Sequence, residues 1–403
     1  MLHEQADELD VARVRSLFPA LADGTAYFDG PGGSQVPTPV AEAVAATLVG
    51  GVSNRGTVTP SERRAEDAVR GARDAMADLL GCAADGVVFG RSMTQLTMDL
   101  ARSLAKRWGP GDEVVVTRLD HDANIRPWVV AAEAVGASVR WVDFDPDTAE
   151  LEPVADALSD RTRLVAVTGA ANLLGTRPDV PDIAAEVHSA GALLFVDGVH
   201  LTPHAPVDVV ALGADFYACS PYKFFGPHLG VLAADPALLA TVHPDKLLPS
   251  TDAVPERFEL GTLPYELLAG VRATVDVIAG LAPDGADDRR SRVRSSMRRV
   301  EAHEDRLFDR LLTGLGSVDG VRVYGAPARR TPTVLFSVAG VEPAAVHRRL
   351  ADRGVNVPAG SFYALEASRR LGLGDGGAVR AGLAPYTSQR DVDRLLEGVA
   401  ALH

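Results

Sequence analysis

Lys223 stands in the run Asp215-Phe216-Tyr217-Ala218-Cys219-Ser220-Pro221-Tyr222-Lys223-Phe224-Phe225-Gly226-Pro227-His228, between apolar residues and a Gly-Pro turn. An amine desolvated by such neighbours gives up its proton easily and becomes a nucleophile suited to making a Schiff base with an aldehyde. Upstream, the apolar run Leu193-Leu194-Phe195-Val196 ends in Asp197, a carboxylate that could keep a pyridinium nitrogen protonated. Taken singly, each has a plainer reading. Lys223 could be a lysine snorkelling from a strand end, Asp197 a helix cap and Ser220 a turn residue.

Taken together, a lysine and an aspartate of this kind form the protein side of a pyridoxal phosphate (PLP) site. The elements that must position them follow from periodicity. Glu113-Val114-Val115-Val116-Thr117 leads to His121, Leu164-Val165-Ala166-Val167 leads to Asn172, Leu193 to Val196 leads to Asp197 and His200, and Phe216 to Cys219 leads to Ser220 and Lys223. Continuous apolar runs separated by helix-length segments indicate a parallel sheet buried on both faces. In open sheets of that kind the ligand lies beyond the carboxyl ends of the strands, so these polar residues should meet in one crevice.

An anion site is legible in the same way. The strand-like Gly86-Val87-Val88-Phe89-Gly90 precedes Arg91-Ser92-Met93-Thr94-Gln95-Leu96, after which Leu96, Leu100, Leu104 and Ala105 recur at helical spacing. Ser92 and Gln95 fit a capping box, which by itself marks only a helix start. The free amides and dipole of that start would suit a phosphate.

These motifs resemble those of fold-type I PLP enzymes of the class V aminotransferase group, and most closely the cysteine desulfurase-like proteins of the group-II branch. The likeness spans Ala26-Tyr27-Phe28-Asp29-Gly30, Asp120-His121-Asp122-Ala123-Asn124-Ile125 with Pro127-Trp128, Ala171-Asn172-Leu173-Leu174-Gly175-Thr176, Val196-Asp197-Gly198-Val199-His200, Ser220 to Lys223, and Arg257-Phe258-Glu259-Leu260-Gly261-Thr262. The resemblance implies an α/β architecture: a large domain with a mainly parallel, seven-stranded sheet between helices, plus a small C-terminal α/β domain. It implies that Lys223 carries the cofactor, Asp197 meets the pyridine nitrogen, His121 stacks on the ring and Asn172 reaches the ring hydroxyl. His200 would lie beside the same oxygen, while Thr94, Gln95 and Ser220 would hold the phosphate; Tyr222 stands where relatives commonly have histidine and could still donate to it. Thr262 would reach in from a second subunit, making the enzyme a homodimer with shared sites. Arg380, in Val379-Arg380-Ala381-Gly382, matches an arginine that grips the carboxylate of an amino-acid substrate, for which a guanidinium fork is well shaped.

Departures from the family pattern bear on the reaction. Desulfurases of this branch carry a loop cysteine that takes up sulfur as a persulfide. The corresponding stretch, Val357-Pro358-Ala359-Gly360-Ser361-Phe362-Tyr363-Ala364-Leu365, contains none, and the two cysteines, Cys82 and Cys219, read as small buried hydrophobes. Leu263-Pro264-Tyr265-Glu266 replaces an expected polar stretch, and Asn54 stands where relatives tend to have histidine. Asn54, Tyr265, Ser361, Phe362, Tyr363 and Gly33, with Arg380, are the expected substrate contacts. The reading that follows is a carbon–sulfur lyase, with an aminotransferase or epimerase as the alternative.

The chain has 403 residues, 46% of them hydrophobic, and a net charge of -14. That balance argues against nucleic acid or an anionic membrane as partner. The acidic opening Met1 to Glu8 has no apolar signal core, and a cytoplasmic location is expected. Two cysteines supply neither a disulfide framework nor metal-ligand spacing, so no metal is expected. The expected division is an N-terminal segment, 1–25, packed on the small domain, a PLP-binding domain, 26–265, and a linker helix with the small domain, 266–403. The turn-rich break from Ala282 to Asp288 falls within the last.

Overall fold

The computed structural model describes residues 8–282 and 285–402. Met1 to Asp7, most of the acidic opening, and Pro283-Asp284 of the turn-rich break lie outside the described residues.

The described strands form three sheets. β1 (Ala26–Tyr27) pairs in parallel with β11 (Val355–Asn356). β2 (Val87–Gly90), β3 (Glu113–Thr117), β4 (Ser138–Val142), β5 (Thr162–Thr168), β6 (Leu193–Asp197), β7 (Phe216–Cys219) and β8 (Gly230–Ala234) build a seven-stranded sheet in the order β2-β8-β7-β6-β5-β3-β4. All its pairings are parallel except those of β8, which runs antiparallel to both neighbours. β9 (Val321–Tyr324), β10 (Thr333–Val338), β12 (Ala359–Gly360) and β13 (Ala378–Gly382) form an antiparallel sheet ordered β12-β13-β10-β9.

The apolar runs are continuous because both faces of the large sheet are covered. Side chains alternate along a strand, so Val165, Val167, Leu194, Val196 and Tyr217 enter one core while Leu164, Ala166, Phe195, Phe216 and Ala218 enter the other. The helices Pro60–Leu80 and Tyr265–Gly280 cover the first face, and Met93–Ala105 and Arg126–Val135 the second. Each fully buried large aliphatic side chain contributes roughly 1.5–3 kcal/mol. A third core lies between the four-stranded sheet and the helices Arg289–Gly316 and Gln389–Ala400.

Local signals account for the helix ends. Thr59 and Glu62 make a reciprocal capping box ahead of Pro60, and Gly81 closes the same helix in the left-handed region at φ 70°. Ser92 accepts from the amide of Gln95, but Gln95 does not complete the expected box. Its side chain turns along the helix and donates to Asp99 at 3.1 Å. Near the amino terminus, Arg15 binds Asp391 at 2.8 Å while Val14 and Phe18 enter the core beneath the large sheet, so the helix Val11–Ser16 bridges the two regions.

Register brings the site together. Thr168 pairs with Asp197 and Asp197 with Ala218, which sets the carboxyl ends of β5, β6 and β7 side by side. Gly198 then turns the chain over Tyr217 so closely that a Cβ there would fall 1.9 Å from the tyrosine ring. Only glycine fits that turn.

Candidate active site

A cavity of about 650 Å³ opens at those strand ends and is bounded on its far side by β13 and the turn after β12. Lys223, Asp197, His121, Asn172, His200 and Ser220 line it, each just beyond a strand of the large sheet, together with Thr94, Tyr222, Tyr363 and Arg380. Residues scattered over almost three hundred positions therefore share one crevice, as the strand-end argument requires.

Lys223 ends a short turn after β7, and its Nζ donates to the Pro31 carbonyl at 2.5 Å. Burial, and secondarily the Arg380 cation, hold the amine down at about 7, while Asp197 opposes the shift. Asp197 is itself pushed up to about 6 by burial, against the amide of Val199, which donates to it at 2.9 Å. A half-buried lysine that is easily deprotonated and a carboxylate in want of a cation are complementary requirements for one ligand.

His121 accepts from the Ala123 amide through Nδ1 at 3.0 Å, which assigns the ring proton to Nε2, and burial depresses its pKa to about 4. At neutral pH it is an uncharged, flat ring on the cavity wall. Under it lies a polar floor that the sequence did not disclose. Asp120 accepts from Thr117 and Asn124, Asn124 accepts from the indole of buried Trp128, and burial raises the Asp120 carboxyl to about 8.

Asn172 donates to the carbonyl of Phe362 at 3.0 Å, and its Oδ1 is buried without a partner. Arg380, on β13, donates to the carbonyl of Asn172 at 2.9 Å, and its guanidinium lies 3.8 Å from the centre of the Phe362 ring. Its Nε is also buried without a partner, and burial lowers its pKa to about 9. Unpaired buried polar atoms cost free energy unless a ligand meets them, so both mark a surface built to be occupied. Ser220 is buried and Tyr222 stacks on His228, ring centroids 4.7 Å apart. Thr94 lies in the first turn of Met93–Ala105, and with Met93 it lines the same cavity.

Other nominated residues lie apart from the cavity wall. Gln95 is half-buried and bound to Asp99. Gly33 lies behind the wall, where a Cβ would meet the Tyr222 ring at 3.4 Å, and Gly32 lines the cavity in its place. Asn54 and Thr262 are exposed and do not line it. Tyr265 is in the core beneath the large sheet, which removes it from the expected substrate contacts. Of the thiols, Cys219 is buried in β7 and Cys82 is half-buried, its thiol pushed up by burial to about 12, so Cys82 is less enclosed than a core hydrophobe. Sequence reasoning missed the Pro31 carbonyl that holds the amine, and also Arg126 and Asp122, an ion pair at 3.2 Å on the rim.

Phe362 and Tyr363 occupy the turn after β12 with φ of 52° and 58°, conformations that side chains other than glycine adopt at a cost. The Tyr363 carbonyl accepts from the Asp122 amide at 2.7 Å, its ring lies 5.6 Å from that of His121, and it is 76% exposed. Tyr363 is thus outside the core, whereas Phe362 is half-buried and packs against the core around Phe144 and Leu173.

Residues 26–395 match the model of the aminotransferase class-V family. The chain is 36% identical to an uncharacterized protein, MT3887, of Mycobacterium tuberculosis over 98% of this chain and 99% of that one. It is 33% identical to a probable cysteine desulfurase of Pseudomonas aeruginosa, covering 94% and 95% of the two chains. The structure superimposes on the apo cysteine desulfurase of Thermococcus onnurineus with a TM-score of 0.87 at 26% identity, covering 98% of each chain.

Proposed function

The chain belongs to the aminotransferase class-V family and is a PLP-dependent enzyme, and from that premise we propose that it is a carbon–sulfur lyase acting by β-elimination on a cysteine-derived amino acid. The observation that carries this reading is the segment Val357–Leu365. Where a desulfurase of this branch presents a thiol, this segment presents Phe362 and Tyr363 to the cavity that contains Lys223.

The residues fit the cofactor. Lys223 would carry it covalently, Asp197 would pair with its ring nitrogen, and His121 would lie against its ring. Asn172 and His200 would border its hydroxyl. Ser220, Tyr222, Thr94 and the free amides of Met93–Ala105 would hold its phosphate, whose charge suits a helix start. Arg380, through its unpaired Nε, would grip the substrate carboxylate. When bound, the cofactor supplies an electron sink for the substrate's α-carbon.

The chain's own groups perform the remaining steps. The Lys223 amine would be placed to take the α-proton of the substrate. The C–S bond then breaks with its electron pair leaving on sulfur. Tyr363, on the open side of the cavity, protonates the departing thiolate. Water hydrolyses the released enamine to pyruvate and ammonia, so the products are a thiol, pyruvate and ammonia and no enzyme cysteine is needed.

Incubation with a panel of cysteine S-conjugates, alanine and α-keto acids tests the reading. The expected result is pyruvate in step with thiol. Washout of α-deuterium without pyruvate would refute the lyase and identify an epimerase, and exchange with keto acids would identify an aminotransferase.

A further inference from the structure

Behind His200, on the side away from the cavity, a chain of polar side chains continues into the protein. His200 Nε2 is 3.0 Å from Thr333 Oγ1 at the start of β10. The His204 ring meets the His200 ring edge to face, with centroids 5.1 Å apart. His204 Nδ1 in turn lies 2.9 Å from Glu304 Oε2, on the long helix Arg289–Gly316.

His200, His204 and Glu304 are 3%, 5% and 0% exposed, and Glu304 Oε1 has no hydrogen-bond partner among the described residues. A carboxylate so deeply buried is costly, and a buried ion pair is a weak source of stability compared with apolar side chains of the same volume. Packing alone therefore gives no reason for this pair at this place. Its second feature is position: the His204 ring meets His200, which lines the cavity.

We propose that Glu304 and His204 are positioning residues that share one buried proton and, through the His204 ring, hold His200 as a neutral imidazole in a single tautomer beside the cofactor. The inference rests on the reading that His200 borders the cofactor's ring hydroxyl. Neutral His200 can then keep one fixed hydrogen bond with Thr333 and present its other nitrogen to the ligand, whereas a protonated or flipping ring would present a donor at both.

The charges facing this group agree with that role. Burial first, then the neighbouring His204, Arg380 and Lys223, hold the pKa of His200 well below its ordinary value. Burial raises the Glu304 carboxyl, Asp305 and Glu301 on its own helix add to that, and His204 opposes it. The Arg380 and Lys223 cations near His200 thus disfavour its protonation.

The test uses the PLP-loaded protein with ¹⁵N-labelled histidines and the variants Glu304→Gln and His204→Gln. His303→Gln serves as control, because His303 is the neighbouring buried histidine and its Nε2 meets the Thr387 carbonyl at 3.0 Å. In the parent protein the His200 ring signal should be that of one neutral tautomer from about pH 6 to about pH 9. In Glu304→Gln it should become a mixture or begin to titrate, and the midpoint of the cofactor's absorbance against pH should move by roughly half a unit or more. His303→Gln should lower the melting temperature and move neither readout. An unchanged His200 signal in folded Glu304→Gln and His204→Gln would overturn the proposal, as would equal changes in the control. A moved signal with a fixed absorbance midpoint would refute contact between His200 and the cofactor, and leave the lyase reading to the substrate panel.

Discussion

At the scale of single residues, Lys223 and Tyr363 divide the proton traffic of the proposed reaction, and they do so from opposite environments. Lys223 is half-buried, and its amine lies near 7 instead of 10.5 because desolvation penalises the cation and Arg380 repels it. In cofactor-free protein, acylation of Lys223 by an amine-specific reagent should accordingly rise with a midpoint near pH 7. Arg380→Gln removes only the second cause, so its midpoint should shift upward yet stay below that of an exposed lysine. A midpoint that ignores Arg380 would separate the two residues. Lys223→Ala should carry no chromophore that borohydride can trap. Tyr363 is exposed on the cavity rim, where its phenol can reach a departing sulfur. Tyr363→Phe should lower kcat by roughly tenfold to a thousandfold on a poor leaving group and leave the cofactor's spectrum unchanged. Unaltered turnover would remove the phenol from the mechanism.

At the scale of elements, the hairpin of β12 and β13 is what puts Phe362 and Tyr363 in place. Gly377, at φ 65°, lies so close to the Gly360 carbonyl that an added Cβ would fall 1.9 Å from the oxygen. Gly377→Ala should force the strands apart, move the strained turn away from Asp122 and Asn172, and cost more than about 2 kcal/mol. Thermal unfolding measures the cost, and a rise in KM for the amino acid with the spectrum retained would tie the turn to the substrate side. Little of this was legible in the sequence. The large sheet was, because burial on both faces leaves an unbroken apolar run that ends where the polar residue begins. The helix start at Ser92 was half legible: the hydroxyl caps, but Gln95 has a stronger attraction one turn on, in Asp99. The turn at Phe362, the Pro31 carbonyl and the Asp120 floor were not legible. Each depends on a backbone angle or on contacts between segments far apart in the chain, which neither periodicity nor spacing encodes.

At the scale of the whole molecule, the remaining residues of the proposed site point outward. Thr262 and Asn54 are exposed, yet neither sits in an ordinary polar surface. Leu48 and Val49 at the end of the helix Thr38–Val49 are 64% and 87% exposed, Val58 beyond Asn54 is 83% exposed, and Leu260 just before Thr262 is 53% exposed. Arg55 ties these loops together through Glu66 at 2.9 Å and Glu256 at 3.1 Å, and buried Arg73 fixes Glu256 and Glu259 behind them. Apolar side chains held outward on rigid loops are what a protein interface requires. In the proposed homodimer this face would meet a second copy, so that Thr262 of each chain would reach the other's phosphate. Val58→Asp combined with Leu260→Asp should then give monomers in sedimentation, and PLP affinity should fall with dissociation because each site would lose a donor. Val210→Asp, an equally exposed position on the helix Val209–Leu212, should change neither. Thr262→Ala should weaken PLP binding about tenfold while the dimer persists, the loss expected for one hydrogen bond to a charged group. A monomeric double variant that still binds PLP as tightly as the parent would take Thr262 out of the site and leave this face to some other partner.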